Sequence, residues 1–416
     1  MNMPKSFEIQ DGRILWSGQD LTQIAEAAGT PCYVYNQSVI EESYRAYDEH
    51  LSSIPHLICY AMKANSSMAV LKVLADVGSS VDVVSGGELF RAQKAGLPVK
   101  KAIFSSVGKG EDELREAVRA EILFFNIEAA EELDLLARIA EEEGKVAGVS
   151  VRINPDIDPG THPYISTGLE MNKFGLVPDQ ALDVYRRAFR MPQLKVLGIQ
   201  AHIGSQICSI QPFMDSLDRL LFLRDKLESE GISLQYLSVG GGLGIQYNDE
   251  NPPSPGDYAD ALAKRMQDTG LTLIMEPGRS IVGPGGILLT RVLYCKQTPR
   301  KRFVIVDGAM NDLVRPSLYK SYHRIVPVVL REGQSAKVDV VGPVCETGDF
   351  LAQDREMPSV QPGDLLAVCD AGAYGYTMSS NYNSRPKLPE VLVNKKGFRI
   401  VRTRQTYEDL IAGESL

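Results

Sequence analysis

Hydrophobic positions along the chain fall into two regimes. Between residues 57 and 276, short continuous apolar runs alternate with stretches whose apolar residues recur every three or four positions. The runs 57–62, 81–84, 101–105, 122–126, 147–153, 195–203, 234–239 and 272–276 predict eight strands. The segment 128–143, apolar at Leu133, Leu135, Leu136, Ile139 and Ala140, is typical of the helices between them. Runs that are continuous rather than alternating in hydrophobicity belong to strands buried on both faces, as in parallel sheets covered by helices. A closed barrel and an open doubly wound sheet both produce this rhythm.

Other patterns flank it. Residues 7–10 and 13–16 read as strands joined by the tight turn Asp11-Gly12; a helix over 21–28 closes at Gly29; a strand over 31–35 and a helix over 38–51 follow. After Gly283-Pro284-Gly285-Gly286 the rhythm stops. The runs 287–296, 303–306, 337–341, 365–369, 390–393 and 399–402, separated by turns rich in Gly, Pro and Asp, predict a second, mostly β domain of barrel or sandwich type. The expected fold class is α/β: a (β/α)8 TIM-type barrel over 38–283, with a β-rich domain formed by 284–416 and joined by the N-terminal strands of 1–37. There is no internal repeat and no low-complexity segment.

Composition narrows the function. A chain of 416 residues exceeds one small core, so two domains are natural. With 44% hydrophobic and 23% charged residues it has the make-up of an ordinary globular protein. A net charge of −9 offers nothing to nucleic acid or to an anionic membrane surface. Residues 1–16 lack the apolar core of a secretory signal, and no apolar run approaches the roughly 20 residues that span a bilayer. The six cysteines are scattered without a C-x-x-C pair, which suggests reduced thiols in a cytoplasm rather than disulfides or a zinc site. A cytoplasmic protein acting on a small molecule is expected, with no metal.

Conspicuous residues gather where the predicted strands end, which favours the barrel, since barrels carry their active sites at that face. Lys63 follows the first strand. A desolvated amine there is nucleophilic and suited to Schiff-base chemistry, although a strand-end lysine can equally snorkel to solvent. Asp82 and Ser85-Gly86-Gly87-Glu88 follow the second strand, where a glycine-permitted helix cap is the plain reading. Arg152 ends the fifth strand and could pair with an acid in the mouth or form a rim salt bridge. His202 and Ser205 end the sixth; a lone histidine is as easily a satisfied core residue. Gly240, Gly241 and Gly242 follow the seventh, where glycines let backbone N–H groups approach a phosphate. Glu276, Gly278 and Arg279 end the eighth, either as an ion pair or as partners for a protonated heteroaromatic nitrogen. Together they meet one demand, that of an aldehyde, a phosphate and a pyridine ring: pyridoxal 5'-phosphate.

Eleven stretches carry a resemblance. They are YAMKANS (60–66), VSGGEL (84–89), RINP (152–155), THPYISTG (161–168) with NKFG (172–175), HIGSQ (202–206), GGGLGI (240–245), EPGRSIV (276–282), NDLVRPSLY (311–319), GPVCETGDF (342–350) and GAYGYTMSSNYNSRP (372–386). On these the chain resembles the barrel-type, alanine-racemase-like pyridoxal-phosphate decarboxylases, and among them is similar to the bacterial diaminopimelate decarboxylases. The resemblance implies that Lys63 carries the cofactor, His202 stacks on its ring, Ser205 and the glycines hold its phosphate, and Glu276 pairs with its ring nitrogen. It also implies a homodimer that completes each site with Cys345, the expected proton donor, and Glu346 from the other subunit. Arg279, Arg315 and Tyr319 match positions that hold the distal part of the substrate, Glu346 the acid for its distal ammonium, and Tyr374 a tyrosine touching cofactor and substrate. Met171, Ser106 and Asp307-Gly308-Ala309 depart from the family pattern in loop positions.

The expected reaction is decarboxylation of meso-2,6-diaminopimelate to L-lysine, the last step of lysine biosynthesis. A decarboxylase for another basic or a carrier-bound amino acid stands beside it, although a simple polyamine precursor has no use for both Arg279 and Arg315. A racemase of the alanine type would place arginine rather than Glu276 at the ring nitrogen. A non-catalytic cofactor carrier would not need Cys345, Glu346 or Tyr374, and a binding module on a dead barrel would carry no bound chromophore.

Overall fold

The computed structural model describes residues 3–4, 6–158, 173–331 and 333–416. The stretch 161–168, Met171 and Asn172 therefore lie outside the described residues. The chain divides into two compact units.

One unit comprises 42–245 and 251–280. Its eight strands, His56–Ala61, Ser80–Val83, Ile103–Ser105, Phe124–Ile127, Ala147–Ile153, Leu194–Ala201, Tyr236–Ser238 and Thr272–Met275, form a closed barrel. Every neighbouring pair is parallel, and the eighth strand returns to the first through Leu273, Ile274 and Met275. Cys59, Ile103, Phe124, Leu197 and Ile274 meet as a buried apolar cluster. Two of the intervening helices begin on side chains that satisfy one of their first free N–H groups. Ser85 accepts from Glu88 N at the start of Gly86–Ala95, and Ser254 accepts from Asp257 N at the start of Pro255–Met266.

Five of the strands are shorter than the apolar runs, and the first two are displaced by one residue. Val99–Lys101 is a 3-10 turn before the third strand, and the first strand stops at Ala61 because Met62–Ala64 winds into another. Apolarity continues past the first strand because the turn after it is itself buried, at Met62 and Ala64. Among the described residues no helix is long and apolar enough to cross a membrane.

The other unit gathers 1–41, 246–250 and 281–416. The long strand Gly286–Gln297 is its axis. It pairs antiparallel with Cys32–Asn36, Leu365–Val368 and Arg302–Val306. Cys32–Asn36 pairs in parallel with Glu390–Asn394, which places an N-terminal strand inside a sheet otherwise built by the last third of the chain. Ile14, Trp16, Leu21, Val34, Ile287, Leu289, Val326 and Val391 share its buried core.

Three elements here escape the hydrophobic pattern: the strands Ile325–Pro327 and Phe350–Pro358, and the short helix Arg315–Tyr319. Phe350–Pro358 buries Leu351, Ala352 and Met357 but carries Gln353, Asp354, Arg355 and Glu356 between them. It is held by backbone pairing to Ser335–Val341 rather than by an apolar face.

Candidate active site

The C-terminal mouth of the barrel is lined by polar groups from nearly every strand. Lys63, in the turn after the first strand, places Nζ 3.0 Å from Asp82 Oδ2 of the second. Asp82 is fully buried and the lysine side chain is 37% exposed, so the amine reaches open space from an anchored base. The other oxygen of Asp82 is buried with no hydrogen-bond partner among the described residues.

Glu276, just past the eighth strand, is buried and, among the described residues, accepts from neutral donors: Ser238 Oγ at 2.7 Å and Gln200 Nε2 at 3.2 and 3.3 Å. Burial pushes its carboxyl up to about 7, helped by the nearby charge of Asp82 and opposed by Lys63. Dipoles alone solvate a buried carboxylate poorly, so the site is built to receive a cation there.

His202 takes the Gly241 N–H on Nδ1 at 3.2 Å, which leaves its proton on Nε2. Burial, then the positive charges of Arg152 and Lys63, hold it well below the ordinary histidine value. It is a neutral, flat ring. Arg152 forms a buried ion pair with Glu128 at 3.0 Å, so of the two sequence readings the acid within the mouth is the observed one. Burial also raises Glu88, in the first turn of the helix after the second strand, to about 7.

The glycines after the seventh strand are required by backbone packing. A Cβ on Gly240 would lie 2.6 Å from Ala201 O, on Gly241 2.1 Å from Glu276 O, and on Gly242 2.3 Å from Gly204 O. Gly240 and Gly242 also have φ of 68° and 115°. The loops after strands six, seven and eight are thereby in direct backbone contact. Across them Arg279 Nη2 donates to Ser205 Oγ at 2.9 Å. Gly278 sits against the first strand, where an added Cβ would lie 3.0 Å from Ala64 Cβ.

Arg315, Tyr319, Cys345, Glu346 and Tyr374 belong to the β-rich unit. Arg315 and Tyr319 begin and end the helix Arg315–Tyr319, whose Ser317 Oγ donates to Gly348 O in the loop that carries Cys345 and Glu346. Asp349 shapes that loop by accepting from Met310 N and Val344 N, each at 2.7 Å. Asn383 accepts from Cys345 N at 2.8 Å and Tyr382 donates to Glu346 at 3.2 Å. Three of the sequence stretches, 311–319, 342–350 and 372–386, thus converge on one loop cluster. Cys345 and Glu346 are exposed on it. Tyr374 has φ of 56°, a left-handed conformation uncommon for a tyrosine.

Sequence reasoning missed the supporting contacts. Gln200 and Ser238 lie inside strands read as apolar, and Asp82 was noticed without its partner. A polar residue one position short of a strand's C-terminal end was the available signal.

Residues 37–283 match the family described as "Pyridoxal-dependent decarboxylase, pyridoxal binding domain". The diaminopimelate decarboxylase of Pseudomonas aeruginosa is 51% identical over 99% of both chains, and that of Aquifex aeolicus 45% identical over 97% of this chain and 96% of its own. Among solved structures, diaminopimelate decarboxylase from M. jannaschii in complex with L-lysine has a TM-score of 0.94 at 39% identity, covering 99% of this chain and 98% of that one. The Helicobacter pylori enzyme complexed with L-lysine has a TM-score of 0.91 at 41% identity, covering 94% and 98%. On the matched family and on these near full-length relatives, the chain belongs to the pyridoxal-dependent decarboxylases and, among them, to the diaminopimelate decarboxylases.

Proposed function

We propose that this chain removes CO2 from one end of meso-2,6-diaminopimelate to give L-lysine, with pyridoxal 5'-phosphate held in the mouth of the barrel. The observation that carries the reading is Glu276: a buried carboxyl raised to about 7, solvated among the described residues by Ser238 and Gln200, just past the strand that pairs with the one delivering Lys63. A protonated ring nitrogen is the cation such a carboxyl lacks. Bound pyridoxal phosphate supplies an electron sink for the charge left when a carboxylate departs as CO2.

The chain's residues divide the remaining work. Lys63 provides the amine that holds the aldehyde, and Asp82 beside it can take up or return its proton. His202, neutral and flat, stacks without repelling a cationic ring. Ser205 Oγ, the N–H groups of Gly240 to Gly242 and Arg279 hold a phosphate, and Gly278 lets the loop lie close against the first strand. Arg279, Arg315 and Tyr319 take the distal carboxylate of the substrate, with Glu346 for its distal ammonium and Tyr374 touching both molecules.

Cys345 delivers the proton that replaces CO2. Its thiol and the Glu346 carboxylate are exposed on their loop, which supports a homodimer in which each copy completes the other's site. The six cysteines form no disulfide among the described residues, and a reducing cytoplasm is part of the same reading.

The test is to load the purified protein with pyridoxal phosphate and follow CO2 and lysine from meso-diaminopimelate. Lysine formation that is lost in Lys63→Ala supports the reading. A loaded protein that releases CO2 only from another amino acid moves the substrate. A protein that binds no cofactor overturns the assignment.

A further inference from the structure

We propose that His323 is a positioning residue for substrate recognition, holding the Arg315 guanidinium in the orientation that receives the distal carboxylate. The proposal rests on the reading of Arg315 just given and adds what makes that arginine a fixed receptor.

Arg315 opens a five-residue helix, and Lys320 ends it in the left-handed conformation with φ of 53°. That turn brings the chain back, so that Ser321 and His323 return to the arginine that began it. Arg315 Nε donates to His323 Nε2 at 3.3 Å, and Nη2 donates to Ser321 Oγ at 3.1 Å. The other imidazole nitrogen, Nδ1, lies 2.9 Å from Cys369 O. A carbonyl can only accept, so Nδ1 carries the proton and Nε2 is left as an acceptor aimed at the guanidinium. Tyr247 closes the third side. Its ring lies 5.0 Å from the Arg315 guanidinium carbon and 5.2 Å from the His323 ring, at 73° to it. His323 is completely buried, and Arg315 and Tyr247 are 4% and 3% exposed.

A guanidinium holds five N–H donors in a rigid fork, so fixing its Nε edge and one face fixes where the others point. The chemistry of the partner matters as much as its position. An aspartate or glutamate at His323 would orient the fork and also cancel its charge, competing with the substrate carboxylate. A neutral imidazole orients without neutralising. Its tautomer is set by the Cys369 carbonyl, in the way that outer hydrogen bonds orient the ligands of a metal site.

L-Lysine and 1,5-diaminopentane separate this role from a merely structural one, because they differ by one carboxylate. Their binding to the holoenzyme is measured by calorimetry, alongside KM and kcat for diaminopimelate. His323→Asn keeps a donor for Cys369 O and drops the acceptor for Arg315. It is expected to weaken L-lysine about tenfold and raise KM about tenfold, with diaminopentane affinity and kcat within about threefold of the wild type. His323→Gln, whose amide oxygen can reach the Nε2 position, is expected to stay within about threefold throughout. Ser321→Ala, which removes only the Nη2 acceptor, is expected to weaken L-lysine selectively by about fivefold, outside that margin, and carries the test should His323→Asn fail to fold.

Equal loss of both ligands in the His323→Asn holoenzyme, or no loss of either, overturns the proposal. Arg315→Gln distinguishes the failures. Selective loss of L-lysine there with none in His323→Asn overturns the role of His323 alone, whereas unchanged L-lysine affinity in Arg315→Gln overturns both assignments.

Discussion

Lys63 Nζ stands 3.0 Å from Asp82 Oδ2, while Asp82 Oδ1, equally buried, has no hydrogen-bond partner among the described residues. The pair links the first two barrel strands and gives the amine a charged contact at hydrogen-bond distance. Asp82→Asn keeps the shape and removes the charge. We expect kcat/KM to fall about a hundredfold, with faster loss of cofactor on dialysis. Wild-type kinetics in this variant would show that Asp82 is scaffold only.

Glu276 makes a prediction about pH. Its carboxyl has an ordinary value of 4.5 and is pushed by burial to about 7 in the cofactor-free chain. Between those values the folded chain holds a proton that the unfolded chain has released, so stability from this group declines as pH rises through the window. Glu276→Gln removes that slope. The cofactor-free variant should gain Tm relative to wild type from about pH 4.5 to 7, read by calorimetry, while kcat of the loaded variant drops 10²–10³-fold, roughly the loss when a preorganised charge is removed. An offset that does not change with pH argues against a buried, protonated Glu276.

Gly241→Ala tests the interlocked loops. Its Cβ would meet Glu276 O at 2.1 Å, a contact that backbone must move to relieve. A loss of about 1–3 kcal/mol in stability is expected, with weakened cofactor binding because the shifted loop carries the N–H groups assigned to the phosphate. Unchanged cofactor affinity would remove the glycines from the phosphate assignment.

The proposed sharing of the site across a homodimer predicts complementation. Lys63→Ala and Cys345→Ala chains are each expected to be inactive. Unfolded together and refolded one to one, they should form mixed dimers in which one site regains both wild-type residues, about a quarter of all sites. Recovery near that fraction supports donation across the interface. No recovery, with mixed dimers present by mass spectrometry, places Cys345 in the site of its own chain.

Much of the fold was legible because parallel barrel strands are buried on both faces and announce themselves as apolar runs. The strand-end residues Lys63, His202 and Glu276 stood out for the same reason, as polar breaks in an apolar rhythm. What stayed hidden depended on neighbours distant in sequence. Gln200 and Glu276 become partners only once the barrel closes, and the role of the glycines in backbone packing needs the Glu276 and Gly204 carbonyls in place. Phe350–Pro358 was invisible because its stability lies in pairing with Ser335–Val341, which hydrophobicity does not record.

The close backbone approach at Gly240, Gly241 and Gly242 limits how this mouth can evolve. Loops that touch through carbonyls and absent side chains cannot be lengthened, exchanged or randomised one at a time without disturbing their neighbours. Selection for a new substrate, natural or in the laboratory, will accept few changes after strands six, seven and eight. The tolerant positions should lie elsewhere, in loops such as the one after the third strand, where Val107 and Gly108 are exposed and a Cβ added to Gly108 would meet nothing within 4 Å.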